Sequence, residues 1–96
     1  MQDEFTMKIV WDADKARANI ENHRISFEDA QSVLTDPFAL TREDSDAVDE
    51  QRFVTLGRSN RNRILVVVHT YHDSIIRLIS AWKANATQRK RYENRC

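Results

Sequence analysis

The stretch ILVVVHTYHDSIIRLISAW, residues 64–82, decides how this chain folds. Ile64 to Val68 is apolar at every position, the pattern of a strand covered on both faces in the middle of a sheet. Ile75 to Trp82 reads as a second strand, with Arg77 on the same side as Ile75 and Ile79. Between them, His72-Asp73-Ser74 is short enough for a hairpin. Working backwards, Ser59-Asn60-Arg61-Asn62 makes another such turn, and Arg52-Phe53-Val54-Thr55-Leu56 precedes it as a strand.

Upstream the period changes. Met7-Lys8-Ile9-Val10-Trp11 reads as a short strand, and Asp12 or Asp14 can cap the helix after it by accepting bonds from its free N–H groups. Ala16, Ile20 and His23 then fall on one helical face. A second helix begins at Ser26, where Ser26-x-x-Asp29 resembles a capping box, and ends at Asp36-Pro37. Its buried stripe is Phe27, Ala30, Val33 and Leu34. Only two or three residues join these helices, which predicts a helical hairpin. Downstream, Asn85 or Thr87 starts a basic C-terminal helix ending near Arg95. The predicted order is β-α-α-(β)-β-β-β-α, a small antiparallel sheet with two N-terminal helices and a C-terminal helix, of class α+β.

The 96 residues suit one domain, and 41% apolar with 31% charged residues is the balance of a globule with a charged shell. The single Gly57 and single Pro37 exclude glycine-rich phosphate loops and low-complexity sequence. The only cysteine, Cys96, excludes an intrachain disulfide and a multi-cysteine zinc site. No apolar run approaches membrane-spanning length and the N-terminus is acidic, so a cytoplasmic location is expected and no membrane partner. The net charge of zero hides a polarity along the chain. Residues 1–50 carry five bases against thirteen acids, whereas residues 51–96 carry ten bases, eight of them arginine, against Asp73 and Glu93. An arginine-rich half points to a polyanion, because the guanidinium fork matches phosphate. Neutralisation of one half by the other is the competing reading. The acidic run at residues 43–50 lacks the glycine and ligand spacing of a calcium loop and reads as a solvated loop.

Trp11-Asp12-x-x-Lys15-x-x-x-Asn19-x-x-x-His23, Ser26-Phe27-x-x-Ala30 and Asp36-Pro37 resemble the front half of the BrnT toxins. Glu50-x-Arg52, Gly57-Arg58, Val66-Val67-Val68, Arg77-Leu78-Ile79-Ser80-Ala81 and Tyr92-Glu93 resemble the back half. The resemblance runs from Met7 to about Arg95. It makes residues 7–96 a single toxin domain and residues 1–6 an extra segment or alternative start. It implies a RelE-like fold, a ribonuclease of a type II toxin–antitoxin system that inhibits translation, and a BrnA-like antitoxin partner. Operator DNA would be reached only through that antitoxin, in an assembly such as a toxin–antitoxin heterotetramer. Three positions depart from the family pattern: Arg24 stands where a glycine is usual, Trp82 where an arginine is usual, and Gln88 where a glutamate is common.

RNA can be cut without metal when its own 2′-hydroxyl attacks the adjacent phosphate, given cations for the developing charge and a group to move protons. The catalytic candidates are His23, Arg58 and Arg77; the candidate RNA contacts are Arg52, Arg63, Trp82, Lys83 and Arg89. His69 could face a core or an open sheet surface, and His72 lies in a turn where it is simply solvated. No histidine pair has metal-ligand spacing on a helix, so neither metal nor cofactor is expected. Each candidate has a structural alternative: His23 as a helix-terminal ring packed on Phe27, Arg77 in an ion pair with Asp12 or Glu50, Trp82 in the core or at a partner interface. The competing function is a non-catalytic, toxin-derived nucleic-acid-binding or corepressor module.

Overall fold

In the computed structural model, which describes residues 7–48 and 50–94, helix starts fall where side-chain acceptors meet free N–H groups. Asp12 accepts from Lys15 N at 3.0 Å and starts α1 (Ala13–His23); Ser26 accepts from Asp29 N at 3.0 Å and starts α2 (Phe27–Val33). Asn85 and Gln88 exchange side-chain-to-backbone bonds of 2.8 Å in a capping box that starts α3 (Ala86–Glu93). The expected end of this helix near Arg95 lies outside the described residues, as do residues 1–6, Asp49 and Cys96.

The strands are β1 (Lys8–Val10), β2 (Leu40–Glu43), β3 (Phe53–Arg58), β4 (Ile64–His72) and β5 (Ile75–Lys83), in the spatial order β1-β5-β4-β3-β2. The β3-β4-β5 hairpins follow the expected turns. Asp73 and Ser74 both take positive φ, 53° and 66°, as a two-residue hairpin turn requires, and Asn62 takes φ 64° in the other loop. The sheet is mixed, however, not antiparallel throughout. β1 runs parallel to β5, with Val10 opposite Arg77. The chain between them passes through α1, α2 and three strands, and a long crossover of this kind is what a parallel pair needs. The helical hairpin also gives way to a different packing: α1 lies on β5, and α2 spreads over β3, β4 and β5.

Two apolar layers flank the sheet. Ile25, Phe27, Ala30 and Val33 bury against Leu65, Val67, Leu78 and Ala81, and Trp11 meets Phe27 edge-on with centroids 5.9 Å apart. On the opposite face, Tyr92 of α3 closes over Leu56, Val66 and Ala84. Burying side chains of the size of Phe27, Ile25 or Leu65 contributes roughly 1.5–3 kcal/mol each. Gly57 is where α2 comes closest: a Cβ there would stand 3.0 Å from both Val33 Cγ1 and Ala39 Cβ. A register shift between Val68 and His69 turns the end of β4 relative to β5.

Candidate functional site

Several residues of the sequence pattern hold the frame. The Asn19 side chain acts as a missing strand beside β5, taking Ala81 N–H at 3.0 Å and giving its own N–H to Ala81 C=O and Ile25 C=O at 2.9 Å each. It is needed because β1 covers only Ile75 to Arg77 and leaves the rest of that edge open. Asp36 accepts from Arg58 N (2.8 Å), Phe38 N (2.9 Å) and the Tyr92 hydroxyl (2.6 Å), tying the loop after α2 to β3 and α3.

The arginines meet different fates. Arg63 gives Nε and Nη2 to one oxygen of Asp29, at 3.1 and 2.8 Å, and the Asp29 carboxylate is only 1% exposed. Its guanidinium is thus committed inside the fold. Arg58 bonds Asn62 Oδ1 at 2.7 Å and lies 5.6 Å over the Tyr92 ring. Arg52 reaches Glu50 at 3.7 Å while its Nε is buried without a partner among the described residues. Arg89 gives Nη1 to Ala84 C=O at 3.1 Å, and Lys83 is exposed at the end of β5. Arg77 has no hydrogen bond or ion pair among the described residues. Neither acid expected to neutralise it does so: Asp12 caps α1, and Glu50 faces Arg52.

Strand register shows what surrounds that guanidinium. Val10, Arg77 and Thr70 stand side by side across β1, β5 and β4, and Arg52 falls in the same row, one residue beyond the Phe53–His69 pair. This row lies on the face that carries α3. Arg77 lines a groove of about 350 Å³ together with Glu50, Thr70 and His72. A cation, a carboxylate and an imidazole thus share one opening. His72 is exposed and stands 3.2 Å from the Asp73 carboxylate. Its place in this groove is invisible in the sequence, where it looks like a turn residue and nothing more.

The other two catalytic candidates stand elsewhere. Arg58 pairs with Ile64, six residues along β4 from Thr70, so it lies about 20 Å from Arg77 along the strand direction. His23 packs on Trp82 rather than on Phe27, with ring centroids 5.9 Å apart. Trp82 is half-buried, five residues along β5 from Arg77 and so about 16 Å away. His69 is buried on the α1–α2 face, where its Nε2 meets Thr55 Oγ1 at 2.9 Å and its ring stacks on Phe53. Burial pushes its pKa below the ordinary 6.5, opposed in part by the backbone of Thr70. Arg42, which the sequence does not single out, and Arg91 of the basic run 89–91 border a second groove on the Arg77 face, beneath α3. Arg42 shows no signal until β2 is laid on β3.

Among the described residues no helix is long and apolar enough to cross a membrane. A family model described as the ribonuclease toxin BrnT of a type II toxin–antitoxin system matches residues 11–88. Among solved structures, the chain is similar to the Brucella abortus ribonuclease toxin BrnT, at 28% identity and a TM-score of 0.62, over 83% of this chain and 99% of that one. No curated protein matches it.

Proposed function

The chain belongs to the BrnT family of ribonuclease toxins of type II toxin–antitoxin systems, and on that premise we propose that the Arg77 groove is where it cuts RNA, without a metal ion. Residues 7–96 act as one toxin domain in the cytoplasm. The observation that carries this reading is the guanidinium of Arg77, without a partner among the described residues, in a groove that also holds Glu50 and His72.

A phosphodiester seated on Arg77 would have its non-bridging oxygens against the guanidinium, with the buried Nε of Arg52, unpartnered among the described residues, as a neighbouring donor. The RNA 2′-oxygen gives up its proton and bonds to phosphorus, the bond from phosphorus to the 5′-oxygen breaks, and that oxygen takes a proton. The products are a 2′,3′-cyclic phosphate and a 5′-hydroxyl. Glu50 is suited to accept the first proton and His72 to donate the second, because both line the groove with Arg77. Fixed cations around the developing charge are worth roughly 3–4 kcal/mol per donor. Lys83, Arg89 and Trp82, with His23 beside it, lie farther out and serve RNA on either side of the cut, or the antitoxin. The protein antitoxin that the family implies would be BrnA-like, would form a heterotetramer with the toxin, and would carry it to operator DNA.

The test is cleavage of RNA by antitoxin-free protein in the presence of a chelator. Arg77→Ala, folded by circular dichroism, should cut at least 100-fold more slowly. An equal rate removes Arg77 from the reaction; loss of activity in chelator alone removes the metal-free mechanism. Binding without cleavage by the unaltered protein would establish the corepressor reading instead.

A further inference from the structure

The second groove on the Arg77 face holds about 200 Å³, below the roughly 300–1,000 Å³ of pockets for drug-sized ligands and on the scale of one ring system. Its floor is the apolar row of Leu40, Leu56 and Val66, with Val54 beside it. Arg42, Arg91 and Gln88 form its rim. The hydrogen-bonding capacity of that rim is one-sided. The Gln88 carbonyl oxygen already accepts from Asn85 N–H in the capping box, and its NH2 group makes no hydrogen bond among the described residues. Arg91 has no partner among the described residues, and Arg42 makes one long contact of 3.3 Å to a backbone carbonyl. Thr41 shares its hydroxyl with Thr55 at 2.8 Å. The side-chain groups left open are therefore mostly donors, set around an apolar floor.

We infer that this groove is a nucleobase subsite that selects guanine in the RNA being cut. A flat ring fits an apolar floor between guanidinium planes. Of the two purines, guanine alone presents two adjacent acceptors, N7 and O6, on one edge, and a bidentate arginine is their commonest partner; cytosine sets O2 beside N3 but offers the floor only a single ring. Adenine would bring its N6 donor against a rim made mostly of donors. Val54 of the floor stands about 12 Å from Arg77 across the sheet, a span that one nucleotide and an arginine side chain cover together. The base would thus belong to the nucleotide next to the broken bond. This inference rests on the Arg77 reading for which phosphate is cut, but not for which base is held.

The experiment measures binding apart from cleavage. Fluorescence anisotropy would use short 2′-O-methyl oligouridylates carrying one central guanine, which cannot be cut because the nucleophile is blocked. Replacing that guanine by adenine, 7-deazaguanine (no N7) or 2-aminopurine (no O6) should each weaken binding roughly tenfold or more. Gln88→Glu is the protein arm. Glutamate still accepts from Asn85 N–H, so the cap survives, but its carboxylate would engage Arg42 and Arg91. The guanine preference should fall to within about twofold, with the melting temperature unchanged; Arg42→Gln should weaken it in the same direction. Equal binding of all four bases by the unaltered protein overturns the inference. So does a preference that survives both substitutions, in particular where they weaken antitoxin binding instead, since the groove would then belong to the protein partner. A guanine preference that persists in Arg77→Ala, whatever that variant does to cleavage, supports the subsite independently of the catalytic reading.

Discussion

Removing the Asn19 side chain should cost this protein much of its stability without touching its chemistry. The amide makes four hydrogen bonds: to Ile25 C=O and Ala81 C=O at 2.9 Å, from Ala81 N–H at 3.0 Å and from the Ser80 hydroxyl at 3.2 Å. Asn19 is 5% exposed, and Ile25 and Ala81 are fully buried. Asn19→Ala leaves three buried backbone groups without partners, each costing about 1–3 kcal/mol. Partial entry of water beside the β5 edge puts the total near the low end, at about 3–5 kcal/mol. A chain of this length has about 5–14 kcal/mol in all, and each kcal/mol is worth roughly 4–8 °C in Tm. Urea unfolding should therefore move to much lower denaturant, with Tm down by at least about 12 °C. Trp11 and Trp82 flank this region and report it by fluorescence. Asn19→Asp is the sharper control, since it keeps the acceptor but points a carboxylate at two carbonyl oxygens; it should be no better than alanine. A loss below about 1 kcal/mol for either variant would refute the idea that Asn19 substitutes for a strand. Retained stability with lost cleavage would make Asn19 part of the catalytic site.

Arg24 caps α1 at φ 60°, a conformation that costs a side-chain-bearing residue about 1–2 kcal/mol. Arg24→Gly should therefore stabilise by about 0.5–1 kcal/mol in urea unfolding, after allowance for the greater freedom of glycine in the unfolded chain. Arg63→Ala strands the buried Asp29 carboxylate and should cost about 2–4 kcal/mol, less than a fully buried pair because Arg63 is 31% exposed; Arg63→Ala with Asp29→Asn should recover part of it. Protonating His69 favours the unfolded chain, because burial lowers its folded pKa below 6.5. Its contribution is thus complete above pH 6.5 and drains away as pH falls through the folded value, by at most about 1.4 kcal/mol per pH unit. His69→Gln should flatten that part of a stability–pH curve, and an unchanged slope would assign the loss to other groups.

The pattern of local structure was open to reading because its causes are local. Period-two alternation through residues 52–82, turn residues at Asn62 and Asp73-Ser74, and caps at Asp12, Ser26 and Asn85 each depend on neighbours a few positions away. The same holds for the family signature, whose ordered motifs need no geometry to be recognised. Much of that signature turns out to serve the frame: Asn19 closes an edge, Asp36 ties α2 to α3, and Gly57 admits α2 to the sheet. Such residues look like candidates for chemistry in a sequence, because a polar residue fixed in place for packing cannot be told by its spacing from one fixed for catalysis.

By itself, the sequence determined the class of the fold, the central β4 strand, the helix starts to within two residues, and the gathering of arginines in one half of the chain. The tertiary structure alone decided that β1 joins β5 in parallel, since the partner of an edge strand depends on which edge remains open after the hairpins have formed. It alone decided that Arg63 is spent on Asp29 whereas Arg77 has no partner among the described residues. It also parted His23 from Arg77 and brought His72 and Glu50 to it. Hydrogen bonds and ion pairs act over a few ångströms of space. Residues far apart in the chain become partners or strangers only when the sheet register sets those distances.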